Sequence, residues 1–190
     1  MSKKAATDAL YFIAIVLPPP LDALVTELKL HFREHYGSKA ALRSPPHITL
    51  HMPFKWPEKR EQELVAELEK FCAERESFEV ELNNFGCFPP RVIFINVRKT
   101  AELEVLQRDL SYYCRHKLNL IHSNWRDQPF HPHVTLAFRD LRKAKFAEAW
   151  PLFKDRAFAA RFAAKAVTLL KHNGREWEVR NEMRMDKDTH

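Results

Sequence analysis

The alternation of apolar and polar positions divides the first half of the chain into strands and helices. An apolar, aromatic-rich run over 11–17 predicts a buried strand, and apolar residues at helical spacing follow it up to Gly37, where we expect the helix to end. A short motif strand comes next. Apolar positions at helical spacing over 64–72 then predict a second helix, and alternation over 78–82 predicts another strand.

The second half of the chain repeats this order of elements. An apolar strand is predicted over 92–97, a helix over 103–114, a second motif strand, and a helix around 146–153. Such an internal repeat predicts a pseudo-two-fold arrangement of two lobes, over about 8–86 and 87–182, within one domain that takes in the whole chain. Near the end, Asn173-Gly174 lies between the segments Val167 to His172 and Arg175 to Arg180 and predicts a hairpin with a two-residue type I′ turn.

A tetrapeptide of the pattern His-apolar-Thr-Leu occurs in both motif strands. The first copy contains His47 and Thr49, the second contains His133 and Thr135, each follows a proline, and the two histidines are 86 residues apart. Alternate side chains of a strand share a face, so each motif presents one imidazole and one hydroxyl to the same surface. We therefore expect one site built from two halves.

Composition narrows the choice of partner without naming it. The 31 Lys plus Arg exceed the 25 Asp plus Glu, giving a net charge of +6, which favours an anionic partner or is simply a solvated basic surface. The 3 cysteines are odd in number and lie in apolar surroundings, so we expect reduced thiols. The first apolar run ends in Pro18-Pro19-Pro20 and is too short for a membrane span, so we expect a cytoplasmic protein with no membrane partner.

The scarcity of glycine changes how a phosphate could be held. The 3 glycines lie far apart, which excludes a glycine-rich phosphate loop and leaves side chains to bind any phosphate. Two imidazoles that titrate near pH ~6.5 could act as general base and general acid near neutrality. The threonine hydroxyls could donate hydrogen bonds to the non-bridging oxygens.

The paired His-x-Thr motifs resemble those of the 2H phosphoesterase superfamily. The stretch from Phe130 to Arg139 is similar to the second motif of its 2′,5′-RNA-ligase-like branch, and the repeat order of elements agrees with it. The resemblance implies an α/β (α+β) bilobal fold in which two mainly antiparallel sheets form a central cleft with helices outside. A single His-x-Thr carries little information, whereas two copies at matching places in two halves carry much.

The resemblance also implies metal-independent opening of a cyclic phosphate, on a 2′,3′-cyclic RNA end or a small cyclic nucleotide. His47, Thr49, His133 and Thr135 match the catalytic positions, and no cofactor or metal is expected. Relatives differ in which histidine is the base; we take His133 as the base and His47 as the acid. Ligation would be the same path run backwards with an alcohol, and we expect a monomer.

Other residues are candidates for binding the substrate. Lys55 and Arg139 follow the two motifs and could hold phosphate or be solvated charges at strand ends, and Arg91 could reach the cleft from a loop. Aromatic residues near strand ends could stack on a base or belong to the core. These are Phe54, Trp56, Phe88, Trp125 and Phe130.

Two rival functions stay open at this point. His51 and His131 share strand faces with the motif histidines and could make a zinc hydrolase, although the two pairs lie in different segments, no cysteine is near either, and carboxylates are scarce around both. A non-catalytic RNA-binding module could keep the same fold and basic charge. Binding alone would not require two imidazoles, which favours catalysis.

Overall fold

Four α-helices and eight strands make up the computed structural model within the residues that it describes, 7–120 and 129–186. Short 3₁₀ turns cover Ala40–Arg43 and Glu58–Arg60. The strands are β1 Asp8–Val16, β2 His47–Pro57, β3 Phe78–Phe88, β4 Val92–Val97, β5 His133–Ala137, β6 Ala159–Ala164, β7 Ala166–His172 and β8 Trp177–Arg184. The helices are α1 Leu21–Tyr36, α2 Glu61–Ala73, α3 Ala101–Lys117 and α4 Lys143–Phe153.

The helices begin and end where local chemistry dictates. α1 ends at Gly37, which adopts a left-handed conformation with φ of 71° and donates its N–H to the carbonyl of Arg33, so the predicted end is confirmed. α3 begins after Thr100, whose hydroxyl accepts the N–H of Leu103 at 3.4 Å. All four predicted helices are present.

The strands form one continuous sheet in the order β6-β3-β4-β5-β2-β1-β7-β8, and every neighbouring pair is antiparallel. The two expected antiparallel sheets are the two four-stranded halves of this sheet. They meet where β2 and β5 pair through Ile48 and Val134. The two motif strands are therefore neighbours at the centre of the sheet.

The halves of the sheet do not coincide with contiguous halves of the chain. β3 lies beside β4 in the half that holds β5, whereas β7 and β8 lie beside β1 in the half that holds β2. The predicted division near residue 86 therefore cuts through β3 rather than between the halves. We call this an exchange of strands between the halves. The order of the strands along the chain does not predict it.

The sheet is strongly curled. Only Lys165 separates β6 from β7, although these strands lie on opposite sides of the sheet. A single residue bridges no more than about 7 Å, so the ends of these strands must meet at one corner. A backbone bridge between Glu76 and Asp186 closes the same corner.

The two faces of the curled sheet have different surroundings. Ile48, Leu50, Val134 and Leu136 point into the main core with apolar residues from all four helices, which cover that face. The opposite face is left to the motif side chains and a small apolar cluster around Phe12. The helices thus bury one side of each motif strand and leave the other side open for chemistry.

The last hairpin differs from the prediction. His172 pairs with Trp177, so four residues connect β7 to β8 instead of two. The side-chain oxygen of Asn173 accepts the N–H groups of Arg175 and Glu176, both at 2.9 Å, which organises this longer turn. The Asn-Gly pair marks a turn correctly but does not fix its length.

The three cysteines are unpaired, as predicted, and burial raises the pKa of the Cys72 and Cys114 thiols to about 12. No helix in the described part of the chain is long and apolar enough to cross a membrane.

Candidate active site

The site lies at the seam between the two halves of the sheet. Because Ile48 faces Val134 in an antiparallel pair, His47 stands opposite Thr135, and Thr49 stands opposite His133. The two histidines therefore occupy diagonal positions, with Cα atoms roughly 7–8 Å apart. The structure brings together all four predicted motif residues on one face of the sheet.

Both imidazoles are held in the same orientation by the backbone two residues earlier. Nδ1 of His47 lies 2.7 Å from the carbonyl oxygen of Pro45, and Nδ1 of His133 lies 2.7 Å from that of His131. A carbonyl can only accept, so each Nδ1 carries the proton. Each Nε2 is thereby left to accept a proton in the neutral ring or donate one in the charged ring.

A phenylalanine from the neighbouring strand packs against each imidazole. Phe12 of β1 lies 4.8 Å from His47, and Phe94 of β4 lies 4.8 Å from His133, measured between ring centroids. The interplanar angles, 46° and 48°, are nearly equal. The pseudo-two-fold relation thus extends to the residues that support the histidines.

The threonine hydroxyls are available to a substrate. Thr49 and Thr135 are half-buried on the same face as the histidines. Within residues 7–120 and 129–186, no protein group hydrogen-bonds to either hydroxyl. Since a hydroxyl in a protein site normally finds a partner, these two are suited to donate to phosphate oxygens.

The surroundings of the histidines favour their neutral forms. Burial lowers the pKa of His47 to about 4, the nearby charges of Lys29 and His133 act in the same direction, and the bond to Pro45 opposes them. Burial also lowers the pKa of His133, with the charge of His131 adding to the effect and the bond to its carbonyl opposing it. An anionic phosphate between the rings would favour the charged form of either one.

The four predicted substrate-binding residues lie at different places. Lys55 pairs with Leu10 whereas His47 pairs with Val16, six residues further along β1, which puts Lys55 roughly 20 Å from the histidine. Lys55 therefore does not lie beside the motif histidines, because β2 continues well past the motif.

Arg91 and Arg139 are both exposed. Arg91 lies in the β3–β4 turn, where its N–H reaches the carbonyl of Phe88 at 3.3 Å. Arg139 lies two residues beyond β5, and its guanidinium carbon is 5.1 Å from the centroid of the Phe138 ring. No contact in the described structure joins either one to the motif residues.

The aromatic residues that could stack on a base or belong to the core lie at different places in the structure. Phe54 and Trp56 are each only 5% exposed and belong to the core. Phe130 packs against that core and lines a cavity beside α3. Phe88 is 40% exposed and lies 5.4 Å from the ring of His133. Trp125 lies outside the described residues.

The zinc alternative has no geometric support in the described part of the chain. A register shift between β1 and β2 places His51 on a bulge, where it is 4% exposed and packs against Phe54. His131 packs against Phe88 instead. Among the described residues, no three His, Cys, Asp or Glu side chains lie together as a metal site would require.

Three further residues of the site were not predicted from the sequence. Asn96 faces His133 directly across β4 and β5. Trp177 contacts Phe12 edge to face at 4.6 Å, and Lys29 is one of the two charged groups that lower the pKa of His47. Only Lys29 stands out in hindsight, since it is a lysine within the apolar stripe of α1.

Gly86 should be sensitive to substitution because the Phe94 ring lies directly over it. A Cβ at this position would overlap that ring and come within 2.6 Å of the Asn96 side-chain oxygen. We expect Gly86→Ala to lower the free energy of unfolding by roughly 1–3 kcal/mol, because the crowded ring has to move. Denaturant titration measures this loss, and Phe94→Leu in the same background should recover part of it. An unchanged unfolding midpoint would show that the ring has other space.

The family model for the 2′-5′ RNA ligase superfamily matches residues 17–176, and the chain belongs to that family. A protein of Geobacillus sp. (strain WCH70) with the name "Putative phosphoesterase" is 32% identical over 63% of this chain and 65% of its own length. One of the same name from Bacillus cytotoxicus is 36% identical over 55% and 58%. The chain thus spans under two thirds of the length of these relatives.

Solved structures share the fold at low sequence identity. The protein TT0787 of Thermus thermophilus is 21% identical with a TM-score of 0.68, over 94% of this chain and 99% of that one. E. coli LigT in complex with 3′-AMP is 22% identical with a TM-score of 0.66, over 95% and 100%. The 2H fold expected from the paired motifs is confirmed.

Proposed function

We propose that this protein is a metal-independent phosphodiesterase that opens a cyclic phosphate, on an RNA 2′,3′-cyclic end or a small cyclic nucleotide. The observation that carries the proposal is the diagonal pair of imidazoles, each with Nδ1 fixed by a carbonyl and Nε2 left for proton transfer. A binding module would have no use for two imidazoles oriented in this way.

The two histidines supply an acid and a base on opposite sides of the phosphate. The neutral ring takes a proton from water, and the water oxygen forms a new bond to phosphorus. The bond from phosphorus to one ring oxygen breaks, its electron pair stays on that oxygen, and the charged imidazole protonates it. The hydroxyls of Thr49 and Thr135 donate to the non-bridging oxygens, whose negative charge persists throughout.

A nucleotide substrate is supported by charge, by an aromatic surface and by a structural relative. The chain carries a net charge of +6, and the exposed ring of Phe88 beside His133 is placed to stack on a base. E. coli LigT, which shares the fold, has been crystallised with 3′-AMP. A 3′-nucleotide has the form of one product expected from a 2′,3′-cyclic phosphate.

Activity should not depend on a metal ion, because side chains provide the acid, the base and the phosphate contacts. We expect prolonged treatment with a strong chelator to leave kcat/KM nearly unchanged, since there is no metal-bound water to lose. Hydrolysis rates before and after chelation, with metal content measured in parallel, check this. Lost activity that zinc restores would favour a zinc hydrolase.

The reaction itself is tested by incubating the purified protein with a panel of cyclic phosphates and identifying the products. The panel contains 2′,3′-cyclic mononucleotides, 3′,5′-cyclic mononucleotides and a short RNA with a 2′,3′-cyclic end. We expect at least one ring to be opened to a monoester, and the double variant of His47 and His133 serves as the inactive control. A protein that binds the RNA but opens none of the esters would be an RNA-binding module instead.

A further inference from the structure

A small cavity adjoins the candidate site on the side of His47. It has a volume of about 200 Å³ and lies between α1, the segment that leads into β2, and the start of β8. Pro45 lines it and holds the imidazole of His47 through its carbonyl. Trp177 lines it from β8 and contacts Phe12, the ring that packs against His47. Residues that contact the imidazole or its supporting ring thus also form walls of the cavity.

Two cationic side chains line this cavity, Lys29 from α1 and Arg43 from the 3₁₀ turn that precedes β2. Lys29 is only 2% exposed, and its Nζ donates to the carbonyls of Ala41 and Ser44, both at 3.0 Å. An ammonium has three N–H donors, so one is left. Arg43 is exposed, and in the described part of the chain its guanidinium forms neither an ion pair nor a hydrogen bond. Both cations therefore have donors for an anion.

The cost of burying Lys29 favours an anion beside it. Burial lowers the pKa of this lysine to about 7, so the side chain is only partly charged near neutrality. A phosphate within reach of Nζ would favour the ammonium form and would accept a charge-assisted hydrogen bond from it. Arginine does not lose its charge in proteins, so Arg43 supplies a positive charge that is always present. The cavity thus has one fixed positive charge and gains a second when an anion binds.

The other polar residues of the lining leave this balance positive. Glu176 is exposed and forms no ion pair with either cation, and an exposed charge is screened by solvent. The hydroxyl of Ser44 has no hydrogen-bond partner among the residues that the structure describes, so it is a further donor. Thr26 already donates its hydroxyl proton to the carbonyl of Asp22 at 2.7 Å. The lining thus offers three donors to an anion against one carboxylate.

The volume of the cavity decides which part of a ligand fits. Sites for drug-sized ligands measure about 300–1,000 Å³, whereas one water molecule takes up about 30 Å³. A cavity of about 200 Å³ is therefore too small for a nucleoside but large enough for a phosphate group and some of its water.

We propose that this cavity binds a second phosphate of the substrate, the one on the 5′-oxygen of the nucleotide whose cyclic phosphate is opened. This assignment rests on the proposed function and names its preferred substrate class, a nucleotide with a phosphate at both ends of its ribose. Ser44 is three residues before His47, so their Cα atoms are at most about 11 Å apart. The cavity therefore lies within reach of a molecule that is bound at the imidazole.

The placement is compatible with a base stacked on Phe88. That ring lies beside His133, whereas the cavity lies beside His47, so the base and the second phosphate are directed toward different histidines. In a nucleotide, the base and the 5′-carbon leave the ribose at carbons on either side of its ring oxygen. The ribose and its cyclic phosphate would then lie over the two motifs.

Binding of product-like monoesters tests the second-phosphate site without any turnover. The probes are 3′-AMP, adenosine 3′,5′-bisphosphate and a 3′-phosphorylated adenosine dinucleotide, titrated calorimetrically at one ionic strength. We expect the bisphosphate to bind roughly 10-fold more tightly than 3′-AMP, because its second phosphate accepts hydrogen bonds from charged groups. An equal gain for the dinucleotide would support the site and assign it to the phosphodiester of an RNA strand. A gain for the bisphosphate alone would support it and assign it to a terminal phosphate.

The readout for each variant is the ratio of the two affinities, so a general loosening of the site cancels. Arg43→Ala and Lys29→Met should remove most of the preference for the bisphosphate, and Arg43→Lys should keep part of it. Glu176→Gln removes the opposing carboxylate and should increase the preference. Arg175→Ala is the matched control, since this exposed arginine is next to Glu176 but does not line the cavity. It should leave the ratio unchanged, and thermal denaturation shows that each variant is folded.

Equal affinities of the wild type for 3′-AMP and the bisphosphate would overturn the proposal. So would an equal loss of preference in Arg43→Ala and Arg175→Ala, because the gain would then come from the overall charge. None of these ligands is turned over, so a protein that opens no cyclic phosphate would refute the proposed function without touching the binding result. A protein that opens cyclic phosphates but shows no preference would refute only the second-phosphate site.

Discussion

Replacing either His47 or His133 by Ala should lower kcat by roughly 10²-fold or more while the protein stays folded. Each ring supplies one of the two proton transfers in a single step, so the loss of either leaves that transfer to water. Both side chains are only half-buried on the open face of the sheet, which is why their removal should cost little stability. Steady-state kinetics on the best substrate of the panel, with circular dichroism as the check on folding, measures the effect.

The double variant should be little worse than either single variant, because groups that act in one mechanism are not additive. His131→Ala provides a matched control: its main-chain carbonyl still orients His133, and the side chain that is lost packs on Phe88 and Phe94 and acts on His133 through its charge. We expect a much smaller effect there. Near-normal turnover in His47→Ala or His133→Ala would rule out the paired-histidine mechanism.

Thr49→Val and Thr135→Val should each lower kcat by roughly 10²-fold, the usual loss when one donor to a developing oxyanion is removed. Val has the shape of Thr without the hydroxyl, and neither hydroxyl bonds to another described group, so the fold should not change. The free energy of unfolding, measured beside kcat, separates the two effects.

Thr49→Ser and Thr135→Ser are the controls, since they keep the donor and remove only a methyl group. We expect them to retain most of the activity. If the Ser variants fail as badly as the Val variants, the methyl groups and not the hydroxyls matter, and the proposed phosphate contacts are wrong.

The helices, the motif strands and the four motif residues could be predicted from the sequence because each depends on local periodicity. Ile48 and Val134 are apolar between polar neighbours, so their burial fixes which way His47 and His133 point. A repeated order of elements then suffices to place the two motifs in related positions. The position of the motif residues at the candidate site therefore follows from strand geometry.

What could not be predicted depends on contacts between distant parts of the chain. The exchange of strands between halves follows from the pairing of β7 with β1, which lie near opposite ends of the chain and whose pairing no local pattern encodes. Lys55 lies far from His47 because β2 runs on as one strand to Pro57, which a spacing of eight residues in the sequence does not reveal. The burial of Lys29 depends on the carbonyls of Ala41 and Ser44, twelve and fifteen residues away.

The exchange of strands also means that the half of the sheet that holds His47 cannot be made by a continuous piece of the chain, whereas one continuous piece, β3 to β6, forms the half that holds His133. The half that holds His47 needs β7 and β8, and the half that holds His133 needs β3, which precedes α3. A ribosome therefore has to release residues beyond 166 before the half of the sheet that holds His47 gains its last two strands. Catalytic competence and cooperative folding should thus appear together, late in synthesis, and a nascent chain that stops short of β7 would carry both histidines without an assembled cleft.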